Sequence, residues 1–411
     1  MAAPQADLQQ STREAIGRVR GRALILGLAG IALTIPGVFL GGFDLFFQSM
    51  LVSYVLWLGV PLGALGLVMI RHTAGGTWLI MGQRIFEAAT RTLWLLLAMG
   101  ILIIIGGVYL LFPWLDNAYI AEWPIVGEKL LYLNLEFFLI RFAVYFAIWM
   151  GLVWLFNRWS AQLDETGNPM TAVALRRLAP VGIILFIITV TFASTDWGMS
   201  LEPEWFSTIY GVHWAISFGL TMMALGIITL TYLKDEPEVA RHLKVHHYHN
   251  LGNFLLAFVI LWTYISFSQF LIIWSGNVPE EIGYYLNREG DILNIITASL
   301  MLFHFLVPML VLLFRQGKKR PASLRTICYW VLAVRVVDVY WVIAPSFEPN
   351  RAAAGAWVNF YHAVFILTAV VGIGGLTLWA FLGELGKRPL VPRQDPVANA
   401  KFAEEGTEQH A

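Results

Sequence analysis

Apolar residues run along this chain in blocks of about twenty, separated by short connections that gather nearly all the charged and turn-forming residues. A block of that length crosses a hydrocarbon core of roughly 30 Å as a helix. With no water in that core, every backbone amide must bond within its own segment, which excludes isolated strands. The pattern predicts ten transmembrane helices near 23–43, 49–70, 93–115, 132–157, 178–194, 207–233, 251–275, 292–314, 327–344 and 357–385. Pro36, Pro61 and Pro308 fall inside these blocks, where they kink a helix whose neighbours re-satisfy the freed carbonyls.

The connections sort by charge. Of the 27 Lys and Arg, 22 fall in one alternate set (1–22, 71–92, 158–177, 234–250, 315–326 and 386–411). Three fall in the opposite set (44–48, 116–131, 195–206, 276–291 and 345–356), and Arg141 and Arg335 lie within spans. Positively charged loops stay on the cytoplasmic side, so both termini are expected in the cytoplasm and the acidic connections, Asp196 to Glu204 and Glu280 to Asp291, in the periplasm. A missed or invented helix scrambles such an alternation, so the charge count supports the number ten as well as the orientation. The expected fold is all-α and polytopic, in a bacterial inner membrane, with ten helices arranged as two four-helix bundles plus two flanking helices. Its parts are a cytoplasmic segment 1–22, a membrane domain 23–385 and a cytoplasmic tail 386–411, the tail expected to be disordered from Lys387 onward.

Composition agrees. Hydrophobic residues make up 58% and charged residues 13%, against about 25% charged in soluble domains. Many of the 17 Trp and 14 Tyr sit at block ends, as in interfacial aromatic belts. The lone cysteine, Cys328, cannot form an internal disulfide, a c-type haem attachment or an iron–sulfur site. Net charge is zero and no basic stretch points to nucleic acid. Four Arg precede the first apolar block as in a signal peptide, but no small-residue cleavage pattern follows, so it reads as an uncleaved first helix.

Ionisable groups inside a bilayer are costly, which makes each a functional hypothesis. The expected spans hold Glu136, Arg141, His213, His304, Arg335, Asp338 and His362. Arg335 and Asp338 are three residues apart on one helix face and can pair, either as a structural ion pair or as part of a proton route. Glu136 and Arg141 are five apart, about 140° around the helix, and do not naturally pair. Glu136 is expected roughly 6 Å inside the periplasmic end and Asp196 at that same end. Two buried acids raise one another's pKa, so this pair suits a proton-accepting site if the helices are adjacent; otherwise Asp196 caps a turn.

The three intramembrane histidines raise the question of b-type haem, which needs two axial ligands on facing helices at matching depth. His213 and His362 lie at similar depth and His304 nearer the middle, yet no helix carries two histidines at the spacing of stacked haems. Hydrogen-bonded structural histidines, or a quinone or proton-path contact, are the favoured reading. The cluster His242, His246, His247 and His249 is expected in a solvated loop facing lipid headgroups, with metal binding and proton buffering as weaker alternatives.

Three stretches carry a resemblance. They are Thr191-Phe-Ala-Ser-Thr-Asp-Trp-Gly-Met-Ser-Leu-Glu-Pro-Glu-Trp-Phe-Ser-Thr-Ile-Tyr-Gly211, the seventh span with its exit Trp274-Ser-Gly-Asn-Val-Pro-Glu-Glu281, and Arg335-Val-Val-Asp-Val-Tyr-Trp341. Together they resemble the second large membrane subunit of bacterial alternative complex III, within the polysulfide-reductase-type quinone-interacting membrane subunits. The resemblance covers most of the chain from about residue 130. It implies a place in a respiratory quinol:electron-acceptor oxidoreductase, beside a homologous membrane subunit, an iron–sulfur subunit and c-type cytochrome subunits that deliver electrons to a cytochrome c or a terminal oxidase. Haem and iron–sulfur clusters then belong to the partners, and this chain contributes contact with a quinone or menaquinone, a transmembrane proton path, or both, without a covalently bound cofactor or catalytic residue of its own. By position, Glu136, Asp196 and His213 would form a periplasmic-side pocket, and Arg141, His304, Arg335, Asp338 and Tyr340 a polar route through the bundles.

Two other functions compete. A secondary transporter favours inverted repeats and paired Gly/Pro interruptions at the midplane, which the sequence does not show. A structural anchor of a larger complex fits if Arg335 and Asp338 merely pair and no pocket exists.

Overall fold

The computed structural model describes residues 3–347 and 356–407, with side chains described for 14–347 and 360–403. Among them every regular element is a helix. In chain order the principal ones are α1 (Ala3–Thr34), α2 (Gly37–Ala74), α3 (Gln83–Thr90), α4 (Leu93–Leu111), α5 (Leu135–Thr166), α6 (Pro169–Trp197) and α7 (Tyr210–Tyr232). They continue with α8 (Val245–Gly276), α9 (Pro279–Leu286), α10 (Asp291–Ser299), a π-helical segment Leu300–Leu306, α11 (Val307–Leu313), α12 (Pro321–Ile343), α13 (Ala356–Leu385) and α14 (Pro396–Thr407). Nine helical segments among the described residues are long and apolar enough to cross a membrane, which marks the chain as a multi-pass helical membrane protein.

The expected first block, 23–43, does not form one unbroken helix. The apolar part of α1 stops at Thr34, the chain turns at Ile35–Pro36, and helix resumes at Gly37. Pro36 lacks the N–H that would continue the ladder. The reversal expected at 44–48 falls instead at Gly41 and Gly42, where Gly42 has φ +72°, a conformation only glycine enters without strain. Of the connection expected at 345–356, residues 348–355, Arg351 included, lie outside the described residues.

Two helices form the centre. The apolar segments of α2 and α7 are 89% and 78% buried within the protein, against 22% for α8. α2 packs against α4, α6, α7 and α13, while α7 packs against α6, α8 and α12. In a bilayer lipid is as apolar as leucine, so close backbone approach drives helix pairing. A Cβ on Gly63 of α2 would overlap the Phe218 carbonyl of α7. The same device joins α1 to α13, where a Cβ on Gly30 would strike the backbone of Gly372.

The described part of the tail, through residue 407, is folded, contrary to expectation. Val391, Asp395 and Ala398 are buried. The Arg71 guanidinium donates to the Asp395 carboxylate at 2.7 Å, and the amides of Val397 and Ala398 donate to its other oxygen. This clamp holds the start of α14 against the end of α2, so the Pro- and Glu-containing composition is outweighed by one buried ion pair and its caps.

Candidate functional site

The long connections at the acid-rich end of the bundle divide into two differently built halves. In the first, Trp197 at the end of α6 is enclosed by the rings of Tyr54, Phe142, Tyr145, Phe146 and Trp149, with centroids 5.7–6.3 Å away. Beside it Asp196 is buried and fully engaged. Arg141 donates from Nε at 2.9 Å and from Nη2 at 2.9 Å, and the Tyr145 hydroxyl donates at 2.8 Å. Arg141 is further held by the Tyr132 carbonyl at 2.7 Å and by stacking 3.8 Å from the Tyr132 ring centroid.

In this arrangement Arg141 is the direct partner of Asp196, donating to both of its carboxylate oxygens. Glu136 does not join it. Asn134 caps α5 by accepting from the Phe137 amide, and this start of the helix leaves Glu136 exposed.

The second half holds an open space. A cavity of about 330 Å³ lies among α7, α8, α9, α10 and α12. His213 and Asp338, both anticipated, line it, as do Trp262, Gln269, Arg288 and Trp341. His213 and Asp196 therefore sit in separate halves, not in one pocket, with the aromatic packing around Trp197 on the Asp196 side. Most of the cavity wall is apolar, and Phe270 and Met301 on its lining are 40% and 39% exposed on the outer surface of α8 and the π-helical segment. The cavity wall thus includes side chains that are also partly exposed.

Below the cavity the sequence-predicted groups converge. Asp338 pairs with Arg335 one turn away on α12, and Arg335 Nε donates to Thr221 Oγ1 of α7 at 3.3 Å. His304, in the π-helical segment, lies with its ring centroid 4.0 Å from that of Trp262, and His213 is 6.1 Å from the same indole. Pro308 sits four residues after His304. It offers no N–H to the His304 carbonyl and its ring would crowd it, and the widened winding over Leu300–Leu306 relieves that conflict. Tyr340 does not face the cavity; its ring lies 6.4 Å from that of His362. His213 and His362 lie on different contacts, His213 against Trp262 and His362 against Tyr340 and Phe347.

The roof was not anticipated. Arg288, between α9 and α10, donates to Glu202 at 2.8 Å, to Ser346 at 2.8 Å and to the carbonyls of Tyr284, Trp341 and Val342. Asn287 and Ser346 also donate to Glu202. Burial works against the Arg288 charge, yet Tyr284 and Glu202 beside it more than offset this and hold the guanidinium above its ordinary value. Three connections are thereby tied together over the cavity: 198–206, 279–290 and 341–347. The signal for it was in the sequence, because Arg288 is one of only three Lys or Arg on the acidic side, and a lone cation there needs a carboxylate. Trp262 had no such signal: it is one aromatic among many in an apolar run.

The histidine group at the basic end is not a solvated loop. His246, His247 and His249 occupy the first turns of α8, the Lys244 amide donates to His247 Nδ1 at 3.1 Å, and His242 stacks on Phe402 of α14 at 4.1 Å.

The three motif stretches noted in the sequence supply Asp196, Glu202, Tyr210, Arg335, Asp338 and Trp341 to these two halves and to their roof. No protein-family model matches the chain, and no curated protein matches it.

Proposed function

We propose that this chain is a quinone-interacting membrane subunit of a quinol:electron-acceptor oxidoreductase, with ten membrane crossings in two four-helix bundles and α1 and α13 as the flanking pair. In this reading the nine long spans are joined by the Pro36-interrupted segment at the start, the basic connections face the cytoplasm of a bacterial inner membrane, and the cavity lies toward the periplasm. The observation that carries the reading is the cavity itself. It is mainly apolar and is lined by a histidine and a carboxylate, His213 and Asp338; in this reading Phe270 and Met301 mark its opening toward lipid. A lipid-soluble ring that gives up two protons on oxidation needs that combination: apolar walls for the ring, a few polar groups to orient it, and nearby proton acceptors. His213 and Asp338 are the acceptors in this scheme, and electrons leave to cofactors in partner subunits.

The subunit reading is tested by extraction from native membranes in mild detergent, followed by absorption spectra and mass spectrometry of what co-purifies. Haem-containing and iron–sulfur subunits at fixed stoichiometry are the expected result. A colourless chain that elutes alone contradicts it.

A further inference from the structure

We propose that the inner end of the cavity continues into a buried water site walled by Ser217, Trp262 and His304. The ring nitrogens Nδ1 and Nε2 of His304, the Trp262 Nε1 and the Ser217 hydroxyl are all buried without a protein hydrogen-bond partner. The three residues are 1–3% exposed. A neutral imidazole carries one donor and one acceptor, an indole one donor and a hydroxyl both. Leaving such a group unpaired in a buried place is costly, so several unpaired groups near one another need a ligand small enough to reach them. Buried water fills that role in proteins, making about three hydrogen bonds to groups otherwise unsatisfied.

Position decides between scattered defects and a site. His213, Ser217 and Thr221 follow one another at intervals of four along α7, on one face. The first lines the cavity and the last receives the Arg335 hydrogen bond. The Trp262 ring lies near both histidines, its centroid 6.1 Å from that of His213 and 4.0 Å from that of His304. Ser217 thus lies on α7 between the cavity-lining His213 and the Thr221 that holds Arg335, and the unpaired atoms come from three different helical segments. Water there forms a hydrogen-bonded extension from the cavity to the π-helical segment. The water site rests on the unpaired atoms and not on the identity of the cavity's ligand.

Radiolytic hydroxyl labelling in ¹⁸O water, applied to native membrane vesicles and read by mass spectrometry, tests it. Radicals born from bound water oxidise the side chains that touch it. Trp149 is the internal control, because it too is buried and its indole N–H is satisfied by Thr189 at 2.8 Å. Labelling of Trp262 several-fold above Trp149 is expected, and His304→Phe should bring it down to the Trp149 level. Equal labelling of the two tryptophans in the unaltered protein overturns the proposal. Undiminished labelling of Trp262 in the variant overturns the part assigned to His304. Neither readout depends on whether a quinone binds.

Discussion

Asp338 faces two ways: it neutralises Arg335 within its own helix, and it lines the cavity. Removing its charge leaves a buried guanidinium without a counter-ion, a loss of about 3–5 kcal/mol for broken pairs of this kind. Asp338→Asn is therefore expected to lower the thermal midpoint of the detergent-extracted protein. The double replacement Arg335→Met with Asp338→Leu should recover most of that loss, because it removes both charges together. In the reconstituted assembly Asp338→Asn should also slow quinol-dependent turnover and proton movement, and unchanged values of both would take Asp338 off the path. This pair was legible in the sequence because its partners are one helical turn apart. Arg141 and Asp196 pair just as firmly, but they are 55 positions apart on two helices, and no local spacing announces which helices meet. Glu136 misled for a similar reason: depth along α5 was readable, but which face of α5 turns inward is set by the Arg141 contact with α6, and Glu136 lies well around the helix from it.

At the level of helices, the block pattern located nearly every span, since burial in hydrocarbon imposes length and apolarity together. It failed at the first, where Pro36 and the Gly41–Gly42 kink interrupt a run whose hydropathy reads as continuous. Hydropathy is also silent on which helices touch, and that depends on small residues at points of close approach. The α1–α13 contact has such a point at Gly30 and Gly372. Gly30→Val is expected to force the two backbones apart, at a cost of about 1–3 kcal/mol for overpacking. Disulfide trapping between cysteine pairs introduced along the two helices reads this directly, and efficient trapping in the Gly30→Val protein would show that the contact tolerates a side chain there. The cavity itself was not legible, because a space among helices is a property of five packed segments and not of any one.

For the molecule as a whole, the folded tail ties the last connection back to the end of α2. Burial alone raises the Asp395 pKa, but Arg71 and the amides of Val397 and Ala398 outweigh it and hold the carboxyl below its ordinary value of 3.8. A carboxylate with a lowered pKa in the folded state stabilises that state above its unfolded value, and the contribution disappears as pH falls through the lowered value. Hydrogen exchange across 388–403 should thus stay slow at neutral pH and accelerate only in strong acid. Asp395→Asn should make it fast at pH 7, and slow exchange in that variant would show that the clamp is not what holds the tail.

The cavity carries the functional reading, and photoaffinity labelling with an azido-quinone in native membranes tests that most directly. The label should map to residues on the cavity lining, such as Phe270, Met301 and Trp262, and should be displaced by excess unmodified quinone. Labelling confined to the aromatic-filled half around Trp197, or spread over the lipid-facing surface without displacement, would contradict the account.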